Sequence, residues 1–269
     1  MEKIDYGLKF LRDVLKVESL HFGYWDNGVP TTLANLRLAQ VKYIDHLIKF
    51  IPEGVSSILD VGCGTGVVAD RLVNKGYKVL CISPDVYQEK IFKERLNIPF
   101  RLTKFEDFDT DSKYDLILMC ESMQYLDLDK TFAKCREILN PKGYILTSDY
   151  FRKVNTNYYK TCYVEETFLK KSEQYGFHVI KHEDITENVV PTLEFAKNIY
   201  KDYALPVAEI FSGYINQEYP GVAKVGGFLL GNKLKKLHKY IYTHTEEKLD
   251  TKKFAQFVKY GIYLLGDAT

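Results

Sequence analysis

Apolar positions along the chain change period near residue 57. Beyond that point, short apolar runs at 58–61, 78–82, 100–103, 115–120 and 143–147 suit strands buried on both faces. Stretches at 67–75, 87–96 and 130–139 separate these runs and read as helices, the last stopping at Asn140-Pro141-Lys142-Gly143. Strand–helix alternation at this interval predicts an α/β fold with a doubly wound, mostly parallel sheet. Ligands of such sheets sit beyond the carboxyl ends of the strands.

The flanks read differently. Helices are expected over 6–15 and 32–50, the second from Leu33, Leu36, Val41, Ile44, Leu47 and Ile48 at helical spacing. Between them lies an aromatic loop, Leu20-His21-Phe22-Gly23-Tyr24-Trp25-Asp26-Asn27-Gly28. After Asp149 a Tyr-rich stretch leads to a helix over 164–175, a stop at Gly176 and a strand over 177–184. Residues 190–253 read as helical, interrupted by Pro206, Gly213, Pro220, Gly221, Gly226, Gly227 and Gly231, and a final strand follows at 258–265. The strands so counted number seven. The expected organisation is a helical cap (1–50), a Rossmann-like core (51–189 and 254–269) and a helical lid (190–253) inserted before the last strand.

Composition removes several function classes. Lys plus Arg (37) balances Asp plus Glu (36), so no field of one sign favours a nucleic acid. The cluster Lys233, Lys235, Lys236 and Lys239 reads as a solvated helix face. No apolar run reaches the roughly 20 residues a membrane helix needs, and the start at Met1 has no signal-peptide pattern. Cys63, Cys81, Cys120, Cys135 and Cys162 are odd in number and form no C-x-x-C pair, which speaks for reduced thiols, no metal site and a cytoplasmic setting. The 21 tyrosines are unusual. Each pairs an apolar ring with a polar tip, so they suit a pocket as well as a core.

The chemistry concentrates after the first strand, in Asp60-Val61-Gly62-Cys63-Gly64-Thr65-Gly66. Three glycines between strand and helix let the chain turn sharply and bring backbone amides against a ligand. Asp60 ends the strand with a carboxylate suited to a ligand ammonium or amide. Dinucleotide sites favour G-x-G-x-x-G and an acid after the second strand; here the spacing is G-x-G-x-G, and the second strand ends Cys81-Ile82-Ser83-Pro84-Asp85. The run instead resembles the first motif of the class I S-adenosylmethionine-dependent methyltransferases.

Further segments resemble one group of that class, the cyclopropane fatty acid synthases, tocopherol C-methyltransferases and alkaloid N-methyltransferases. They are Ser83-Pro84 with Gln88, His21-Phe22-Gly23-Tyr24-Trp25-Asp26, the run from Cys120 to Leu126, and Glu183 to Pro191. The resemblance implies S-adenosylmethionine as cofactor and S-adenosylhomocysteine as product. It implies that Asp60, Gly62, Cys63, Gly64 and Gly66 hold the donor, with Ser83, Gln88 and Asp85 at the ribose. Phe105 and Glu106 would stand at the adenine, and Tyr24 and Trp25 over the methionine end, with Cys120 also binding the cofactor. The group's E-S-x-E-H run is here Glu121-Ser122-Met123-Gln124-Tyr125, which departs at its E-H pair.

An acceptor that loses a proton also needs a base, for which His21, Glu121, Tyr125 and Tyr150 are candidates, with His182 more distant. His178 and His182 read as structural. Phe195, Tyr200, Tyr203, Phe211, Tyr214, Tyr219 and Phe228 in the lid suit a small apolar or aromatic acceptor, or equally pack the lid. Aromatic walls also suit an amine. The expected reaction is methylation of carbon or nitrogen in such a metabolite by a monomer or homodimer. The alternatives are small-molecule O-methylation and a non-catalytic S-adenosylmethionine-binding protein. No N/D-P-P-Y/F run follows the fourth strand, which counts against a nucleic-acid methyltransferase.

Overall fold

Strands β1 (Ser57–Val61), β2 (Lys78–Ser83), β3 (Phe100–Leu102), β4 (Tyr114–Cys120), β5 (Leu139–Arg152), β6 (Phe177–Asp184) and β7 (Val258–Asp267) form one sheet in the order β3-β2-β1-β4-β5-β7-β6. The computed structural model describes residues 4–221 and 245–267. Phe228, the glycines at 226, 227 and 231 and the lysine cluster at 233–239 lie outside them. β1 to β5 pair in parallel, and β7 runs antiparallel between β5 and β6. The strand order reverses between β1 and β4, and that reversal opens the crevice in which doubly wound sheets bind ligands.

Local chemistry sets the helix starts. α2 (Leu33–Ile48) begins where Thr32 Oγ1 accepts from the Asn35 N–H, α4 (Val86–Arg95) where Asp85 accepts from Gln88, and α5 (Leu128–Ile138) where Asp127 accepts from Lys130. α3 (Val67–Asn74) instead starts at left-handed Gly66. α1 (Tyr6–Asp13) and α6 (Glu165–Gln174) complete the helices around the sheet. Tyr43, Leu47, Phe254 and Tyr260 pack on one face of the sheet, and Phe132, Phe168, Phe177 and Tyr263 on the other.

The structure extends or moves two expected elements. β5 runs from Leu139 to Arg152 rather than 143–147: β4 pairs with its start at Tyr114↔Leu139, and antiparallel β7 pairs with it as far as Arg152↔Val258. α7 (Thr186–Ile199) starts before the expected lid boundary at 190 and carries Pro191 inside it. A π-helical turn (Tyr200–Ala204) joins α7 to α8 (Leu205–Glu218). α8 has no buried residue, and Tyr203, Phe211 and Tyr214 are more than half exposed.

The aromatic loop between α1 and α2 is a strap clamped from several sides. Gln40 Nε2 donates to the carbonyls of Ser19 and His21, and the Tyr24 N–H to the Ala39 carbonyl. From α7, Thr192 Oγ1 accepts from both the Gly23 N–H and Trp25 Nε1, and Asn188 exchanges bonds with the backbone of Trp25. A Cβ on Gly23 would stand 2.6 Å from the Ala39 Cβ. Gly23→Ala is therefore expected to push the strap off α2 and destabilise the protein by about 1–3 kcal/mol, read as a lowered midpoint in denaturant. An unchanged midpoint would show that the strap tolerates the displacement.

Candidate active site

One cavity of about 700 Å³ runs along the carboxyl ends of β1, β2 and β4, beneath the strap. At its centre, Gly62, Gly64 and Gly66 have φ of +75°, +57° and +82°, a region that side chains other than glycine enter at a cost. Their surroundings differ. A Cβ on Gly62 would lie 2.6 Å from the Ser122 Cβ, and one on Gly66 2.5 Å from the Phe92 ring and from Leu96. A Cβ on Gly64 would meet no protein atom within 4 Å. Two of the glycines are required by packing and the third faces open space in the cavity wall.

Asp60 is 1% exposed and lines the cavity. Its Oδ2 has no hydrogen-bond partner, and burial raises its carboxyl to about 7. A buried acceptor without a partner is costly, so the site calls for a ligand that donates there. Cys63 and Cys120 also line the cavity. Thr65 Oγ1 donates to the Glu18 carbonyl at 2.7 Å, tying the glycine loop to the start of the strap.

Ser83, Asp85 and Gln88 gather at the end of β2, also in the cavity wall. Asp85 Oδ1 accepts from the Gln88 N–H at 2.9 Å, and Ser83 Oγ lies 3.3 Å from both Gln88 Oε1 and the Asp85 nitrogen. The expected ribose residues are thus together, and one oxygen of Asp85 is engaged as a helix cap. Phe105 and Glu106 line the far end beside Lys104, with Glu106 Oε1 3.4 Å from the Asp127 N–H.

The other end is built around Glu121, which sits just past β4 with a left-handed φ of +52°. Strain of this kind in a non-glycine residue persists where surrounding contacts fix it, commonly at functional sites. The contacts here are the Phe22 N–H of the strap and the Tyr260 hydroxyl of β7, donating to Oε1 at 2.8 and 2.7 Å. The Tyr43 hydroxyl lies 2.8 Å from that of Tyr260 and 3.3 Å from Cys120 Sγ, and donates to Ser148 Oγ at 2.6 Å. Desolvation raises Glu121 to about 7, partly opposed by the Tyr260 and Phe22 bonds.

Next to it, Asp149 is 1% exposed and is raised to about 8 by burial and then by the Glu121 charge. It accepts from the backbone of Gln124 at 3.2 Å and of Tyr150 at 2.8 Å, and from Gln124 Nε2 at 3.4 Å. Gln124, Tyr125 and Tyr150 line the cavity here. Tyr125 is 75% exposed, at the mouth.

His21 is 8% exposed, stacks on Tyr43 with centroids 4.7 Å apart and lines the same end. Its Nδ1 is 2.7 Å from the Phe22 carbonyl. Only an N–H satisfies a carbonyl, so Nδ1 carries the proton and Nε2 presents a lone pair. That Nε2 has no partner, and burial lowers the imidazole to about 4.

Tyr24 and Trp25, expected over the methionine end, do not line the cavity. Trp25 is 2% exposed and packs with Leu36, Ala39 and Phe195, while Tyr24 stacks on His46. Ser19, Leu20, His21 and Phe22 of the strap line the cavity instead. No described residue from 186 to 253 contributes to the cavity wall. Phe195 belongs to the packing around Trp25, and His182 stacks on Tyr263 away from the site. Sequence reasoning missed Phe22 inside its own motif, and also Tyr43, Asp149 and Tyr260, which no motif marks.

Residues 58–143 match a family described as a methyltransferase domain. The match spans about a third of the chain and makes that segment similar to methyltransferase domains. Curated relatives include ubiquinone biosynthesis O-methyltransferases of Bradyrhizobium diazoefficiens (25% identical over 51% of this chain and 60% of the relative) and Rickettsia typhi (23%, over 71% and 86%). The chain thus spans about 60% of the first of these methyltransferases. Among solved structures, geranyl diphosphate C-methyltransferase from Streptomyces coelicolor superposes with a TM-score of 0.69 at 14% identity, over 96% of this chain and 93% of that one. The cyclopropane synthase MmaA2 from Mycobacterium tuberculosis gives 0.64 at 14%, over 93% and 90%. At such identity the likeness is one of fold. No helix among the described residues is long and apolar enough to cross a membrane.

Proposed function

We propose that the protein transfers the methyl group of S-adenosylmethionine to a carbon or nitrogen of a small, largely apolar or aromatic molecule. The observation that carries this reading is a single cavity with two chemically distinct ends. The glycine loop, Asp60, Ser83, Asp85, Gln88, Phe105 and Glu106 form one end, and His21, Phe22, Glu121, Tyr125 and Tyr150 the other. The residues fit the donor: the unpartnered Asp60 oxygen suits its ammonium, the open space beside Gly64 its approach to the backbone, and Ser83 and Gln88 its ribose. When bound, the donor supplies an activated methyl on a sulfonium.

The chain's own task is placement and proton handling. Holding an acceptor in line with the methyl supplies roughly 7–11 kcal/mol of the barrier. The strap covers the reacting end and, clamped by Glu121, Gln40 and Thr192, excludes water from it. Glu121 is set by its raised pKa to take a proton near neutral pH. The names of the two curated relatives favour oxygen as the second reading for the acceptor atom.

The test is calorimetric titration with S-adenosylhomocysteine, followed by incubation with methyl-labelled donor and a small-molecule extract. Binding with label transferred to an organic-soluble product is expected. Binding without transfer to any extract would leave a non-catalytic donor-binding protein, and absence of binding would overturn the reading altogether.

A further inference from the structure

Resting on the methyl-transfer reading, we propose that the acceptor is an amine, bound as a nitrogen base between Glu121, His21 and the rings of Phe22, Tyr125 and Tyr150. The first observation is the sign of the cavity wall. Lys104 is the only Lys or Arg among the described residues that line it, and it stands with Phe105 and Glu106 at the end away from Glu121. Around the reacting end the ionisable groups are Glu121, with Asp149 directly behind Gln124 and Tyr150, the neutral His21 and the tyrosine hydroxyls.

The second, independent observation is His21 Nε2, buried, without a partner and on a ring whose other nitrogen is committed to the Phe22 carbonyl. It only accepts. A ligand that satisfies it must bring a donor, and an N–H does so.

Charge development separates the possible acceptors. A phenol must become phenolate-like to attack, and its negative charge is opposed by a Glu121 carboxylate beside it. No Lys or Arg among the described residues at this end offsets that repulsion. An amine behaves in the opposite way. It enters as the ammonium and passes one proton to the Glu121 carboxylate, and the electrons of that N–H bond become the lone pair that attacks. The nitrogen forms the N–CH3 bond as the S–CH3 bond breaks, and positive charge passes from sulfur to nitrogen. Glu121, now protonated and neutral, does not oppose the transfer, while the aromatic rings offer their negative faces to the cation that forms.

The experiment uses the full chain saturated with S-adenosylhomocysteine, whose own titration reports separately on the methyl-transfer reading. Benzyltrimethylammonium, its neutral carbon isostere and benzoate are then titrated as acceptor-end probes. The cation is expected to bind roughly tenfold or more tighter than the isostere, and benzoate is expected not to bind. Glu121→Gln keeps an oxygen for the Phe22 and Tyr260 donors and is expected to erase the preference while retaining S-adenosylhomocysteine. Equal affinity for cation and isostere, preference for the anion, or no binding of the cation to the loaded protein would each overturn the amine assignment. With labelled donor, methylation of an aralkyl secondary amine over the phenol or alkene of the same skeleton is the matching outcome. Preference for the phenol or alkene would count against it.

Discussion

Gly64→Val is expected to lower affinity for S-adenosylhomocysteine more than a hundredfold, a loss of roughly 3 kcal/mol, while the protein stays folded. At this position an added Cβ meets no protein atom within 4 Å. The residue lines the cavity, so the valine branches occupy space the donor needs. The cost to the fold is that of holding a branched residue at φ +57°, about 1–2 kcal/mol. Gly66→Val makes the opposite case. Its Cβ would strike the Phe92 ring and Leu96 at 2.5 Å, so loss of stability precedes any effect on binding. Thermal melts paired with calorimetry separate the two. A Gly64→Val protein that binds S-adenosylhomocysteine like the parent would remove the donor from the glycine loop.

Glu121→Gln is expected to lower turnover roughly 10²–10⁴-fold and, in the ligand-free protein at pH 8, to raise stability by roughly 2 kcal/mol. The sign follows from proton binding. Burial raises the folded value of Glu121 to about 7, against an unfolded value near 4.3. Below about pH 4 both states hold the proton and the contribution is fully present. Between the two values the unfolded chain releases a proton that the folded chain keeps, so stability falls as pH rises and levels off above 7. Asp60 and Asp149, raised to about 7 and 8, act in the same direction. Glutamine removes one contribution and flattens that slope. Denaturant midpoints of parent and variant at pH 5 and pH 8 test it: a gap that does not widen with pH would mean that Glu121 is ionised in the folded protein throughout.

The sheet was legible because buried parallel strands announce themselves as apolar runs. Ile58–Leu59 and Leu116–Met119 are at most 1% exposed, which leaves no polar position to confuse the pattern. The residues expected at the donor share one cavity wall for a local reason: they lie within a few positions of a strand end or helix cap. The reacting end was not legible. Tyr43 and Tyr260 meet at 2.8 Å across 217 positions, and Asp149 closes on Gln124 from a neighbouring strand. Such meetings depend on packing that no short spacing records. Within the strap, the motif was visible but its sidedness was not. Gly23 against Ala39 fixes which aromatic rings turn inward, and that turns Phe22 to the cavity and Trp25 away from it.

The place of β7 between β5 and β6 has a consequence for biosynthesis. Of the described strands it leaves the ribosome last, yet both of its neighbours pair with it along most of their length. Until it inserts, β5 ends the sheet, β6 has no partner, and Tyr260 is absent from Glu121. A nascent chain that has completed the glycine loop and the strap therefore still lacks a finished reacting end. Such long-range closure is slow relative to local pairing, and the exposed edges of β5 and β6 make this interval the one most open to aggregation and to chaperone capture.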